Sequence, residues 1–544
     1  MRSKKVPVIL ISICLALLIL FVVVIHSAEQ YKIQTRDAMA QIVDGKYDKA
    51  IKSIKDYLKE HPDDLESMYG LAVAYAQKKD INQAVAYARQ AIDTGLPFGR
   101  FLAGPRDLLA PLTDSAEFKQ LAEKHTAAHV AELLHGPMLG SVTESTARFW
   151  VRTAKEVPVQ IVIREQENRD TVIKSPIVRT DKNKDFTAVI PVHGLKPDTR
   201  YWYSLTVDNV SWSTGWVFRT FPSPGTKAKF QIGFGGGAGY TPQHERMWNT
   251  ITAYNLLAFL FLGDNVYIDN PTRPAVQQYC YYRRQSRPEF RNFVTSTAIY
   301  AIWDDHDFTT NDGRGGPQIN EPSWKIPVWN VFRDNWNNPY YGGGENQPGC
   351  WFDFAIGDVD FFMLDCRFYR TSPRDRNPSM LGPVQKKWLL EKLRASTATF
   401  KVLASSVPWA FGTKPGSLDT WEGYKKEREE IFTCLEENKI DGVILLSADR
   451  HRSDVWKIER PNGYDLYEFE SSKLTNIHTH RLMPAALFGY NQKCSFGMLT
   501  FDTTARDPMV TYNIINIDNE LIHTFSLRKS QLTQKAKQQQ ISIP

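Results

Sequence analysis

The chain has 544 residues, too many for one hydrophobic core and enough for about three or four domains. Its apolar fraction of 42% and charged fraction of 23% are those of an ordinary globular protein, and a net charge of +6 with Lys and Arg scattered among acids offers no basic stripe for nucleic acid. Six cysteines without a C-x-x-C pair argue against a disulfide framework.

Met1 to Lys5 carries Arg2, Lys4 and Lys5, and Val6 to Ile25 follows with no charge. An apolar run of about 20 residues is long enough to span a bilayer. The basic flank puts the N-terminus in the cytoplasm and the rest of the chain in the periplasm or outside. Residues 1–28 are therefore expected to be a transmembrane anchor. The rival is a cleaved signal ending at Ser27-Ala28, which would leave a secreted protein.

Residues 29–134 read as helical and repeating. Gly45-x-Tyr47-x-x-Ala50 is answered by Asp80-Ile81-x-x-Ala84, and Ala50 to Ala84 is a 34-residue step. The segment resembles two units of a tetratricopeptide array, with a vaguer third around Phe118 to Lys124. The resemblance implies a groove for a protein partner; a plain helical spacer between membrane and the rest is the alternative.

Residues 135–222 change to short alternating strands such as Ala147–Arg152 and Tyr201–Leu205. The run Gly194-Leu195-Lys196-Pro197-Asp198-Thr199-Arg200-Tyr201-x-Tyr203 resembles the L-x-P-x-T-x-Y of fibronectin type III domains, implying a β-sandwich locked by an aromatic corner. Phe221 to Gly225 is a Pro- and Gly-containing linker.

Residues 223–530 alternate strands with helices, which predicts an α/β domain, and 531–544 form a polar tail. Strands are expected at Lys229–Phe234, Leu256–Leu262, Ile299–Trp303, Val359–Asp365, Phe400–Ser405 and Val443–Ser447. Helices are expected at Pro383–Ala395 and Lys425–Asn438. The stretch Arg314–Gly349, rich in Gly, Pro and Trp, suits an irregular lid.

Three apolar strands here end in acids or histidines. Ile302-Trp303 runs into Asp304, Asp305, His306 and Asp307; Leu262 runs into Gly263-Asp264, with Tyr267 beyond; Leu446 leads to Asp449 and His451. Carboxylates and imidazoles crowded at the end of buried strands repel one another and lose hydration unless cations hold them, so the pattern points to a metal site. Open α/β sheets carry their ligands at such strand ends.

G-D-x-x-Y at Gly263 to Tyr267, W-D-D-H-D at Trp303 to Asp307, L-D-x-R-x-Y-R at Leu364 to Arg370, L-G-P-x-Q-x-x-W-L at Leu381 to Leu389 and D-R-H at Asp449 to His451 resemble the alkaline phosphatase D (PhoD-like) family of metallophosphoesterases. The resemblance covers about His135 to Leu527. It implies a two-layer β-sandwich flanked by helices, a metal cluster, and hydrolysis of phosphate esters by activated water. Asp264 would bridge two metals, Tyr267 would bind one as phenolate, and Asp305, Asp449 and His451 would be further ligands. His306 would assist the leaving group, and Arg367 or Arg450 would hold a phosphoryl oxygen. The family's first strand usually leads to a Cys ligand for iron, where this chain has Gly237. An oxygen- and nitrogen-rich site then suits Mn, Zn, Mg or Ca better than thiolate-bound iron. The reading is thus a tethered metal-dependent phosphatase or phosphodiesterase. Its alternatives are an enzyme restricted to diesters of glycerophosphate or cell-wall polymers, and a non-catalytic binding protein tethered by its repeats.

Overall fold

The computed structural model describes residues 35–125, 132–168 and 170–534. The expected anchor or signal at 1–28 and most of the polar tail lie outside the described residues. Among those described, no helix is long and apolar enough to cross a membrane.

The first described helix spans residues 35–43 and is followed by helices Tyr47–Leu58, Leu65–Gln77 and Ile81–Asp93. The repeat is visible in the backbone. Gly45 and Lys79, a repeat apart, both take left-handed φ values (75° and 62°) in the turns between paired helices. Ala50 and Ala84, again a repeat apart, are both fully buried. Asp64 and Asp80 cap the last two helices through the amides of Ser67 and Gln83. The later helices Arg106–Thr113, with Pro111 inside, and Ala116–His125 are shorter. The segment is not a free-standing spacer. Tyr69 stacks with Tyr279 at 6.1 Å, and Arg106 donates to the carbonyls of Thr153 and Ala154, so the helices lie on the body that follows.

Residues 133–219 form strands in two sheets that pack face to face through rings such as Phe149 and Tyr203 at 4.6 Å, and one of the two sheets runs on into the main body. Pro158–Glu165, Arg200–Val207 and Val210–Arg219 belong to a sheet of five strands. Leu133–Gly140, Thr146–Thr153 and Thr187–His193 instead extend the main nine-stranded sheet, because Leu133–Gly140 runs parallel to Ala298–Ile302. The Tyr201 hydroxyl accepts a hydrogen bond from the Lys196 amide (2.8 Å), closing the corner between strands.

The rest of the body is two facing sheets. In the nine-stranded sheet, Lys229–Gly235, Ala258–Leu262 and Ala298–Ile302 are parallel neighbours; in a seven-stranded sheet, so are Val359–Met363, Phe400–Ala404, Val443–Ser447 and Leu466–Ser471. The sheets meet through rings. Tyr300 stacks on Phe354 at 3.9 Å, Phe469 on Tyr512 at 4.5 Å, and Phe361 meets Phe501 edge-on at 6.0 Å. Central strands covered on both faces need no alternation, which explains the unbroken apolar runs A-F-L-F-L and V-I-L-L-S. All six expected strands and both helices are present within a few residues of their expected ends.

The expected irregular lid is not one. Its middle is helix Lys325–Asn335, with Val328, Trp329 and Phe332 buried and Phe332 packed on Trp303 at 4.9 Å. Apolar anchoring of that kind fixes the segment as part of the wall. The described cysteines, Cys280, Cys350, Cys366, Cys434 and Cys494, are all buried and unbridged.

Candidate metal centre

Parallel strands that stop at one edge deliver their following loops to one place. Asp264 follows Ala258–Leu262, Asp304 and Asp305 follow Ala298–Ile302, and Asp449 and His451 follow Val443–Ser447. The loops turn so sharply that several bulky residues sit at left-handed φ, including Asp264 (54°), Tyr267 (53°), Asp449 (71°) and His451 (45°). Branchless glycine is the usual occupant of that region, and strain of this sort gathers at functional sites.

Asp264 is the centre of the arrangement. It is 1% exposed, and neither carboxylate oxygen accepts a hydrogen bond. Burial, and then Asp305, Asp304 and Asp307, push its carboxyl well above the usual carboxylate range, with His306 opposing. A buried carboxylate without donors is costly by itself and is the expected form of a group whose partner is a cation. Ligand atoms of Asp264, Asp305 and His306 lie within 4.8 Å of one another. Tyr267 completes the ring. Its hydroxyl lies 2.8 Å from His451 Nε2 and accepts from Asn476 Nδ2 at 2.6 Å, and its ring stacks on His306 at 4.6 Å. Burial and the Asp264 charge raise the phenol well above its ordinary value, so a phenolate here needs a positive partner. Asp305 accepts from the amides of His306 (3.0 Å) and Asp312 (2.6 Å). The donor set is oxygen and imidazole nitrogen, and it fits a divalent cation.

The neighbouring acids have other work. Asp307 accepts from the amides of Asn265 and Val266, which pins the turn carrying Asp264 and Tyr267. Asp304 pairs with Arg367. That arginine is fully enclosed, bonded to Asp304 (2.5 and 3.0 Å) and to Asp419 (2.9 and 3.2 Å), so its guanidinium faces two carboxylates and not a substrate. The expected phosphoryl clamp is therefore not found at Arg367. Arg450 remains at the site, 3.3 Å from Asp449 Oδ2. A second cation, Lys414, reaches Asp312 at 2.8 Å and Asp419 at 3.3 Å and lies 3.8 Å from Asp449. Lys414, Asn476 and Asp269, which receives His306 Nδ1 at 2.5 Å, have no motif in the sequence to announce them.

Two further histidines, His478 and His480, join His451 in a cluster whose ligand atoms also lie within 4.8 Å. The His451 and His480 rings are parallel within 4° at 4.8 Å. Lone pairs lie in the ring planes, so stacked rings do not converge on one ion. An H-x-H spacing was the only signal for this pair.

Gly237 stands beside the centre at φ 65°, and a Cβ there would lie 2.2 Å from the Ser472 carbonyl oxygen and 3.5 Å from His451. The backbone itself excludes a thiolate at this position. Gly237→Ala is expected to destabilise the fold by about 1–3 kcal/mol through overpacking and backbone strain, read from urea unfolding. Gly237→Cys should be no better. An undiminished unfolding midpoint in either would show that the loop can yield.

A PhoD-like phosphatase profile matches residues 232–481, a domain of unknown function (DUF7800) matches 130–220, and a tetratricopeptide repeat matches 43–95. Alkaline phosphatase D of Bacillus subtilis (strain 168) is 23% identical over 381 residues, 58% of this chain and 64% of that protein, so the match spans less than two thirds of the relative. The fold is similar to a structure of PhoD, with a TM-score of 0.61 at 18% identity over 73% of this chain and 90% of that one. It is also similar to purple acid phosphatase PPD1 from yellow lupin (Lupinus luteus) seeds, with a TM-score of 0.52 at 12% identity over 72% and 74%. Residues 232–481, which carry the strand-end acids, are thus similar to PhoD-like phosphatases, and residues 43–95 are similar to a tetratricopeptide repeat.

Proposed function

We propose that this protein hydrolyses phosphate esters in a reaction that depends on divalent cations held by Asp264, Asp305, Asp449, His451 and Tyr267. The observation that carries the reading is Asp264, whose two buried oxygens lack any donor at the meeting point of three strand ends. A non-catalytic binding protein would have no use for that costly charge. Cations bound there supply a water nucleophile of lowered pKa and neutralise phosphoryl oxygens.

The chain's own groups divide the remaining work. His306 holds Asp269 through Nδ1, which leaves Nε2 to protonate the departing alkoxide. Burial lowers its pKa, and Asp264, Asp305 and Asp269 oppose that and raise it to about 10 in the absence of cations; with cations on Asp264 and Asp305, Asp269 is the carboxylate left to favour the protonated imidazole. Arg450 and Lys414 offer positive charge to a phosphoryl oxygen. Arg450 is the better shaped for it, because a guanidinium can bond two oxygens at once. The absence of a thiolate at Gly237 favours Mn, Zn, Mg or Ca over iron.

The test is chelation followed by add-back of single metals, with hydrolysis of an aryl phosphate and metal stoichiometry both measured. Activity should vanish on stripping and return with a divalent ion alone. Stoichiometric iron that must be present for activity, with a visible ferric thiolate band, would overturn the metal assignment. No hydrolysis under any metal would overturn the function. His306→Ala should retain metal while losing about 10²–10⁴-fold in turnover of an ester with a poor leaving group. Equal loss of metal would make His306 a ligand instead.

The natural setting belongs to the same proposal. The basic flank and apolar run of residues 1–28 favour tethering with the catalytic domain facing the periplasm or exterior, and the repeats offer a surface for a protein partner. The Tyr201 corner is the feature that favours a fibronectin III-like origin for residues 135–222.

A further inference from the structure

The hydrogen bond to His306 continues beyond Asp269 into the helical segment. His306 Nδ1 lies 2.5 Å from Asp269 Oδ1, and the other oxygen of that carboxylate, Oδ2, receives the guanidinium of Arg36 from helix 35–43. Arg36 Nη1 also reaches the carbonyl of Tyr267 at 3.5 Å. The three side chains are 12–17% exposed, shielded enough for charge-assisted bonds to hold their geometry. The helix bearing Arg36 is fixed at both ends. Arg283 donates to Thr35 Oγ1 at 2.7 Å, and Arg273 pairs with Asp44 at 3.0 and 3.2 Å.

A carboxylate held by one partner is free to turn about its last bond. Held by two, one on each oxygen, it is locked in plane, and it then locks the imidazole in the tautomer and rotation that leave Nε2 for the substrate. The backbone adds to this, because the amides of Ile268 and Asp269 both donate to the His306 carbonyl. Residues that orient a working histidine in this way are worth about 10–100-fold in activity when removed.

We propose that the helix 35–43, which leads into the repeats, is a working part of the active site, with Arg36 as the positioning residue that fixes Asp269 and, through it, His306 against the leaving group. The inference rests on the phosphoesterase reading and adds to it a role for residues outside the phosphatase domain.

The full-length, metal-loaded protein is compared with Arg36→Ala, Arg36→Lys and Arg273→Ala on an aryl phosphate with a good leaving group and an alkyl phosphate with a poor one. Arg36→Ala should lower kcat for the alkyl ester by about 10–100-fold, with little change in KM and little loss on the aryl ester, which needs no acid. Arg36→Lys should recover part of the loss. Arg273→Ala, which loosens the same helix without touching Asp269, should match wild type. The far-downfield imidazole N–H resonance expected of the His306–Asp269 bond should shift or broaden in Arg36→Ala and stay in Arg273→Ala. Equal losses on both esters, an Arg273→Ala variant as impaired as Arg36→Ala, or an unmoved resonance would each overturn the positioning role while leaving the phosphoesterase reading intact. A wild type inactive on both esters would overturn that reading and this inference with it.

Discussion

On the proposed function, Asp264→Asn is expected to lower hydrolysis by more than about 10³-fold, because it removes the charge proposed to hold the cations that would supply nucleophile and charge relief. The same substitution should raise the thermal stability of the metal-stripped protein. The two effects share one cause. Asp264 is buried without donors among Asp304, Asp305 and Asp307, so in the absence of a cation its charge opposes folding. Its folded pKa is raised above the ordinary 3.8. Below that ordinary value the carboxyl is protonated in both states and costs nothing. As pH climbs toward the raised folded value, the unfolded chain is ionised while the folded one must keep its proton or bury a charge, so stability falls. Asparagine has nothing to ionise, and the stability advantage of the variant should widen with rising pH. A saturating divalent ion, which binds the native wild type and not the unfolded chain, should reverse the order. Melting curves of both proteins at acidic and neutral pH, with chelator and with metal, would check this. A variant less stable than wild type under chelation would mean that Asp264 has a structural partner.

What could be read from the residues follows from how local each signal is. The acidic strand ends are legible because an apolar run and the group it delivers are adjacent in the chain, as in Leu262-Gly263-Asp264. The repeat is legible because Ala50 and Ala84 report one packing constraint twice. Pairings between distant segments are not. Nothing near Tyr267 announces Asn476, which donates to its hydroxyl across 209 residues. Nothing near His306 announces Arg36. The parallel pairing of Gly140 with Ile299 is equally silent, and it joins one sheet of the expected sandwich to the main sheet. Composition misled at Arg314–Gly349, where glycines and prolines at the ends obscured a helix whose apolar face is buried.

Arg367, buried between Asp304 and Asp419, leads to the second large effect. Its place after a strand, close to the acids, suits a phosphate clamp, but Asp419, the residue that decides its role, lies in a loop without a motif. Arg367→Leu is expected to cost about 3–5 kcal/mol of stability, since breaking a buried pair leaves uncompensated charge. The two carboxylates it leaves are not equivalent. Asp419 keeps Arg370 at 2.8 Å and Lys414 at 3.3 Å, whereas Asp304 keeps the Ser406 hydroxyl at 2.7 Å and, among the described residues, no second cation in direct contact. Burial already pushes Asp304 up to about 8 with Arg367 present, and removal of the guanidinium raises it further. Adding Asp304→Asn should therefore recover more stability than adding Asp419→Asn. For the same reason the single variant should regain stability as pH falls through the raised Asp304 value, where the carboxyl takes up its proton. Urea unfolding of the single and double variants at two pH values measures both. A clamp would behave otherwise, with KM rising and the unfolding midpoint unmoved, and that result would return Arg367 to the substrate.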